Sequence, residues 1–96
     1  MTTEVRATPL LENEHVRVTR FDFEPGSVTG PHVHEHDYVI ITGAGGDFVI
    51  TMPDGTTVAM HQVAGAAYTR PRGTEHDVAC VGDAPAYFIE IELLDA

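Results

Sequence analysis

The sequence has no lysine, and this absence excludes or disfavours several classes of function. Its 96 residues carry fifteen Asp and Glu against five basic residues, all of them arginine, so the formal net charge is −10. Nucleic-acid binding depends on Lys and Arg contacts to phosphates, and we therefore expect no nucleic-acid partner. The same charge disfavours anionic membrane surfaces. Catalysis through a lysine Schiff base is excluded because the residue type is missing.

Cysteine and long apolar runs are also scarce. The single cysteine, Cys80, cannot form an internal disulfide, which suits a reducing compartment. No apolar run reaches the roughly 18 residues that cross a bilayer, and the first residues lack the apolar segment of a secretory signal. We therefore expect no membrane partner, a cytoplasmic location and, at this length, one domain over residues 1–96.

What the sequence does contain is a pattern of short β-strands. Runs rich in Val, Ile, Thr, Phe and Tyr are bounded by Gly, Pro and Asp at intervals of about ten residues, and no segment keeps a helical period. The clearest hairpin joins residues 47–52 and 56–61 through Pro53-Asp54-Gly55, which suits a type I turn followed by a left-handed glycine. The pattern predicts an all-β fold of short antiparallel strands, either a small barrel or a jelly roll.

In two other predicted strands the sequence indicates which side chains share a face of the sheet. In residues 14–23 the apolar parity switches between Val18 and Phe21, which predicts a bulge or a strong twist near Thr19. In residues 86–93 strict alternation puts one set of side chains on one face (Tyr87, Ile89 and Ile91) and a second set on the other (Phe88, Glu90 and Glu92).

Three of the six histidines lie at alternate positions within five residues, at His32, His34 and His36. If this segment and residues 38–42 form one strand, side chains at i, i+2 and i+4 project from one face and present several imidazoles to one small volume. Histidine is the commonest protein ligand of transition metals. From these residues alone, a metal site and an exposed strand face that carries histidine are equally open.

Two motifs of fixed spacing frame the middle of the chain. The first, about residues 26–45, reads Gly26, five residues, His32-x-His34, three residues, Tyr38, six residues, Gly45. The second, about residues 65–80, reads Gly65, five residues, Pro71-x-Gly73, two residues, His76, three residues, Cys80. Together they resemble the two signature motifs of the cupin superfamily, over roughly residues 26–80. That family expects Gly, His-x-His, Glu and Gly in the first motif, and Gly, Pro-x-Gly, His and Asn in the second.

The resemblance implies a cupin-type double-stranded β-helix, a jelly-roll barrel with one metal inside its mouth. His32 and His34 match the paired ligands of the family, and His76 matches the downstream ligand. Three nitrogen ligands with open positions suit one divalent transition metal, among Fe, Zn, Ni, Mn, Cu and Co, better than Mg or Ca.

The chain departs from the family pattern at two positions. Tyr38 stands where the family has Glu, and a neutral phenol is a poor ligand near its usual pKa of about 10. We therefore expect three histidines without a carboxylate, with Tyr38 as the candidate catalytic residue that donates a hydrogen bond to substrate or an oxygen species. Cys80 stands in place of Asn, and on a strand it is more often a small core residue than a ligand.

Four further residues are candidates with competing interpretations. His36 is a reserve ligand or supports the ligands from behind, and Glu90 either hydrogen-bonds a ligating histidine or is solvated at a sheet edge. Arg70, like Arg72, could anchor an acidic substrate through its planar fork, or both lie on the surface and balance some of the fifteen acids. Tyr68 lines the core or contacts the substrate.

Two functions remain open at this stage. One is a metal-dependent enzyme on a small polar metabolite, with a dioxygenase-like oxidoreductase favoured and an isomerase or lyase expected for a Lewis-acid metal. The other is a non-catalytic cupin that binds, senses or assists. The flanking segments resemble small single-domain bacterial cupins, some of which are associated with β-alanine degradation. The resemblance also implies a homodimer, with residues Val5–Thr8 as the candidate exchanged segment.

Overall fold

The structure, a computed structural model, describes residues 4–95, so residues 1–3 and 96 of the predicted domain lie outside the described part. Within residues 4–95 no helix is long and apolar enough to cross a membrane. The described chain forms nine β-strands: β1 (Arg6–Glu12), β2 (Val16–Phe23), β3 (His32–Val33), β4 (Tyr38–Thr42), β5 (Gly46–Thr51), β6 (Thr57–Gln62), β7 (Ala67–Arg70), β8 (Glu75–Cys80) and β9 (Ala86–Leu93).

The strands form two sheets, as expected for an all-β fold. The five-stranded sheet has the order β1-β2-β9-β4-β7 and the four-stranded sheet the order β3-β8-β5-β6, and every strand pair is antiparallel. The chain passes repeatedly from one sheet to the other, so strands that are distant in sequence become neighbours. This interleaving is that of a jelly roll, and it confirms the predicted fold class.

Aromatic side chains close one end of the space between the sheets. Phe23 of the five-stranded sheet meets Phe48 of the four-stranded sheet edge to face at 5.2 Å, and Phe88 packs against Phe23 at 5.2 Å. Each such pair contributes about 0.5–1.5 kcal/mol beyond the burial of its area. Cys80 is 1 % exposed in the same cluster, so it is a small core residue there.

The predicted hairpin is confirmed. β5 and β6 pair in regular register, and Gly55 has a φ of 89°, the left-handed conformation that glycine adopts without strain. The Met52 amide donates to the Thr56 carbonyl at 2.8 Å, and the Asp54 carboxylate accepts the Thr56 amide at 3.0 Å.

The bulge predicted near Thr19 lies in the neighbouring strand instead. β2 pairs with β9 without interruption, whereas the register of β1 shifts between Pro9 and Leu11, opposite Thr19 and Val18. The parity switch needs no bulge in β2, because both faces of this sheet carry apolar side chains. Thr19 and the phenylalanines of β2 share one face with Glu90, and Val18 shares the other with Ile91.

The prediction of one strand through the histidine segment and residues 38–42 was also wrong. β3 pairs with β8 in the four-stranded sheet, whereas β4 pairs with β7 and β9 in the five-stranded sheet. His34 still extends the β3 ladder: its amide donates to the Thr74 carbonyl at 2.9 Å, and its carbonyl accepts the Gly73 amide at 2.9 Å. The segment then crosses between the sheets, so the alternation lasts through His34 and is lost before His36.

The predicted exchange segment, Val5–Thr8, lies largely in β1. This strand is exposed along its length and pairs with β2 of the same chain, for example Ala7 opposite Phe21. Exchange of the segment with a second copy stays a prediction.

Candidate metal centre

Three histidines meet between the two sheets. His32 of β3 stands directly opposite His76 of β8 in the strand ladder, and His34 follows on the same face. The Nε2 atom of His34 lies 3.1 Å from Nε2 of His32 and 3.2 Å from Nε2 of His76. The two sequence motifs therefore supply one cluster, because β3 and β8 are neighbours in the sheet.

The turn before β3 sets the ring orientation of His32. Its Nδ1 donates to the Gly30 carbonyl at 2.9 Å, and the Thr29 hydroxyl lies 3.4 Å from the same nitrogen. With the proton on Nδ1, the Nε2 atom presents a lone pair to the other two rings. Sequence reasoning missed Thr29 and Gly30. A glycine just before a motif is a detectable signal for such a turn, and Gly30 indeed has a φ of 81°, which glycine adopts without strain.

Burial keeps two of the three rings uncharged. Burial, and then the charges of His32 and His76, lower the pKa of His34 to about 4. Burial likewise lowers the pKa of His76 to about 4, helped by the charges of His32 and Arg70. A neutral imidazole is the form that ligates a metal, so both rings are in that form at neutral pH.

The spacing of the nitrogens fits a transition metal. A metal–nitrogen distance of about 2.0–2.1 Å puts two ligands of a tetrahedral or octahedral ion about 2.8–3.4 Å apart. The observed separations of 3.1 and 3.2 Å fall within that range. Three Nε2 atoms that face one another cannot all hydrogen-bond, and a cation satisfies all three at once. His32, His34 and His76 could therefore hold one divalent transition metal.

Glu90 lies behind His34. β9 turns its side chain inward, where the residue is 8 % exposed and its Oε1 lies 3.7 Å from Nδ1 of His34. That distance is longer than a hydrogen bond, but it leaves the carboxylate in position to accept the Nδ1 proton after a small movement. Burial, and then the charge of Glu92, raises the pKa of Glu90 to about 7.

Tyr38 lies against the cluster rather than within it. Its ring stacks on that of His34 at 3.9 Å and 21°, and the residue is 2 % exposed. Its hydroxyl has no hydrogen-bond partner among the described residues. Burial, and then the charge of Glu90, raises the pKa of Tyr38 to about 12, so the phenol keeps its proton throughout the physiological range.

The other sequence candidates are divided between the cavity and its surroundings. The structure does not bring His36 into the three-histidine group. The Arg70 guanidinium lies 4.6 Å above the ring of Tyr68, whose hydroxyl accepts from Gln62 Nε2 at 3.2 Å. Arg70 and Tyr68 both line the cavity that contains the histidines.

That cavity has a volume of about 940 Å³ and lies between the two sheets. The histidines, Tyr38 and Glu90 form part of its wall, and most of its other lining side chains are apolar, among them Ile40, Ile50, Met60 and Phe88. Polar groups converging within an apolar pocket are the usual arrangement of a small-molecule site.

Comparison with known proteins agrees with the two motifs. Residues 19–92 match the family model described as cupin domain. The chain belongs to the cupin family. This cupin is 38 % identical over 86 residues to the beta-alanine degradation protein BauB of Pseudomonas aeruginosa, and the alignment covers 90 % of each chain.

Solved structures resemble this cupin along most of its length. A cupin domain from Bordetella pertussis has a TM-score of 0.92 at 36 % identity and covers 97 % of this chain and 96 % of its own. A crystal structure of oxalate oxidase with the substrate analogue glycolate has a TM-score of 0.71 at 21 % identity, over 94 % of this cupin and 51 % of the oxidase. At that identity the oxidase shares the fold alone.

Proposed function

We propose that this cupin is a metal-dependent enzyme, of the dioxygenase-like oxidoreductase class, in which His32, His34 and His76 hold one divalent transition metal. The observation that carries the proposal is that His34 Nε2 lies 3.1 Å from Nε2 of His32 and 3.2 Å from Nε2 of His76 on the wall of a cavity. The candidate metals are Fe, Zn, Ni, Cu and Co, which nitrogen ligands suit, together with Mn.

The bound metal would supply Lewis acidity or, if it is iron, redox chemistry with O₂. The chain's own residues would bind and orient. Tyr38 would donate a hydrogen bond from its unpartnered hydroxyl to the substrate, because the phenol stays protonated. Glu90 would hold the ring of His34 by accepting its Nδ1 proton, and the apolar walls would keep bulk water from the reacting groups.

The substrate is a small metabolite. The likeness to a beta-alanine degradation protein, at 38 % identity over 90 % of both chains, supports a catabolic step on a small carboxylate-bearing compound. The cavity, at about 940 Å³, has room for such a molecule beside the histidines.

Metal analysis of untagged protein tests the proposal. Protein purified without added metal should contain about one transition metal ion per chain, lose it to a chelator and regain it on reloading. Oxygen uptake in the presence of candidate carboxylates should then depend on the reloaded metal. Substoichiometric metal that also fails to reload would end the metal-centre reading.

A second candidate is a non-catalytic cupin that binds or senses a ligand. The favouring observation is the donor set: no carboxylate belongs to the three-histidine group, and Tyr38 takes the position of the family's Glu. A ligand that stabilises the metal-loaded protein and is recovered unchanged, without O₂ uptake, supports this candidate over the enzyme.

Assembly as a homodimer in the cytoplasm is part of the proposal. The outer face of the five-stranded sheet supports it, since one row across the strands is apolar, from Leu11 through Val18 and Ile91 to Val39. Leu11 is 56 % exposed in the single chain. A mass measurement by light scattering should give a dimer at micromolar concentration, and a monomer would contradict it.

A further inference from the structure

Two strands that end their sheets contribute to the wall of the cavity. β6 is the last strand of the four-stranded sheet and β7 the last of the five-stranded sheet. Side chains of both strands line the cavity, and the hydrogen bond from Gln62 to Tyr68 bridges them at one place. The outer side of each strand is unpaired within the described sheets.

The cavity wall includes apolar side chains that are exposed to solvent. The pairing of Ile50 with Val58 and of Phe48 with Met60 puts these side chains on the inner face of β5 and β6. Val58 nevertheless remains 54 % exposed, and Met52 at the end of β5 is 37 % exposed. Both line the cavity. Apolar side chains exposed on a cavity wall gain free energy when an apolar group of a ligand covers them.

Arg70 is the cation of this cavity. It is the one arginine among the lining residues, and no carboxylate of the described residues lies within 4.0 Å of it. Three other arginines, in contrast, pair with acids of β1, β2 or β9 (Arg6, Arg17 and Arg20).

The position of Arg70 leaves its fork available. Its Nη1 donates to the Thr69 carbonyl at 2.9 Å, and its plane lies over Tyr68, which leaves further N–H groups free. In a chain of net charge −10, an arginine without an acid partner on a cavity wall points to an anionic ligand.

Two acids also line the cavity and limit where an anion can bind. Glu90 is buried beside His34, and Glu75 is exposed at the start of β8. Both would repel a ligand carboxylate when charged, so among the lining side chains the attractive position is at Arg70.

We infer that the ligand class of this cavity is an amphipathic carboxylate: an acid whose carboxylate pairs with Arg70 and whose apolar body covers Ile50, Val58 and Met60. This rests on the proposed function only in taking the ligand to be the substrate of the same site. The inference narrows the expected substrate class. The sequence predicts a small polar metabolite, whereas the cavity favours an acid that is apolar over most of its length.

Calorimetric titrations with hexanoate, hexylamine, hexan-1-ol and β-alanine test the inference on chelator-treated and zinc-loaded protein. Hexanoate should bind at least 10-fold more tightly than hexylamine and β-alanine, since it alone offers both the carboxylate and the apolar body. Equal binding of hexanoate and hexylamine would overturn the inference, as would tighter binding of β-alanine.

Two variants separate the contributions. Arg70→Gln should weaken hexanoate binding about 10- to 100-fold and leave hexan-1-ol unchanged, because a charge-assisted hydrogen bond is lost. Arg72→Gln is the matched control, since Arg72 lies two residues away and outside the cavity lining, and it should bind hexanoate normally. Val58→Asn should reduce the advantage of hexanoate over β-alanine, because it removes apolar surface that covers the ligand's body. Thermal unfolding checks that each variant is folded, and an Arg70→Gln protein that binds hexanoate normally would overturn the inference.

A comparison of the chelator-treated and zinc-loaded proteins tests this inference separately from the proposed function. Hexanoate binding that persists without metal and depends on Arg70 supports the ligand class, even if no turnover is found. Binding that needs zinc and ignores Arg70 refutes the ligand class and leaves the metal centre standing.

Discussion

The two ends of the barrel interior differ in chemistry although the same strands build them. β8 contributes Cys80 and Val78 to the aromatic end and His76 to the metal end, and β9 contributes Phe88 and then Glu90. Because alternate residues of a strand face inward, one inward step of about 7 Å along the chain changes the environment from packed core to reactive cavity.

The aromatic end is where the fold gains stability, and the cavity end is where stability is given up. Phe23 and Phe48 are each 1 % exposed and in edge-to-face contact. At the other end, a buried carboxyl and a phenol hydroxyl without a partner in residues 4–95 cost free energy. We therefore expect mutations at the aromatic end to change mainly the free energy of unfolding, and mutations at the cavity end to change mainly metal binding.

The largest effect on stability is expected at the aromatic end. Phe48→Ala should lower the free energy of unfolding by about 3–5 kcal/mol, because it leaves a cavity beside the rings of Phe23 and Phe88. Urea unfolding of the metal-free protein measures it, with Phe48→Leu as a milder variant that should still fold. Val63→Ala is the control, since Val63 is 63 % exposed. A loss at Phe48 no larger than at Val63 would break the comparison.

The largest effect on metal binding is expected at the cavity end. His34→Gln should weaken zinc binding by at least about 100-fold, because one of three ligands is lost, while the unfolding free energy of the metal-free protein changes little. His36→Gln is the matched control in the same segment, outside the three-histidine group. Competition with a chromogenic chelator measures both affinities, and equal losses at His34 and His36 would refute the assignment.

A smaller effect is expected from pH on the metal-free protein. Folding lowers the pKa of His34 and His76 from 6.5 to about 4, so the unfolded chain binds more protons there and stability is lost as pH falls below about 6.5. Folding raises the pKa of Glu90 from 4.5 to about 7, which acts oppositely: its contribution is present below about 4.5 and lost as pH rises through about 7.

Two histidines outweigh one glutamate, so thermal unfolding temperatures should fall between pH 6.5 and 4.5. The double variant His34→Gln/His76→Gln leaves the glutamate alone and should reverse the slope in this window. An unchanged slope in the double variant would exclude these histidines as its cause.

The smallest effect is expected from the phenols of Tyr38, which is buried, and Tyr68, which is partly buried. Tyr38→Phe should leave the unfolding free energy unchanged or raise it by up to about 1 kcal/mol, since the hydroxyl it removes has no partner among the described residues. Tyr68→Phe is the matched variant and should lower it by about 1 kcal/mol, because Gln62 then loses its acceptor. Urea unfolding distinguishes them, and a larger loss at Tyr38 than at Tyr68 would show that the Tyr38 hydroxyl is bonded in solution.

Much of the fold could be predicted from the sequence because its signals are local. The hairpin around Asp54 and Gly55 follows from turn chemistry, and the inward direction of Glu90 follows from alternation along β9. The break between β3 and β4 could not be predicted, because only pairing with β8 on one side and with β7 and β9 on the other separates the two strands.

The candidate site shows the same division. The two histidine motifs, the family and the donor types could be predicted from the sequence, since these depend on residue identity and spacing. Three contacts could be known only from the tertiary structure. His76 faces His32, while His36 stays apart. Tyr38 stacks on His34, and Arg70 shares a cavity with apolar side chains. The physical reason is that these contacts join strands distant in sequence, and the pairing of whole sheets sets their geometry.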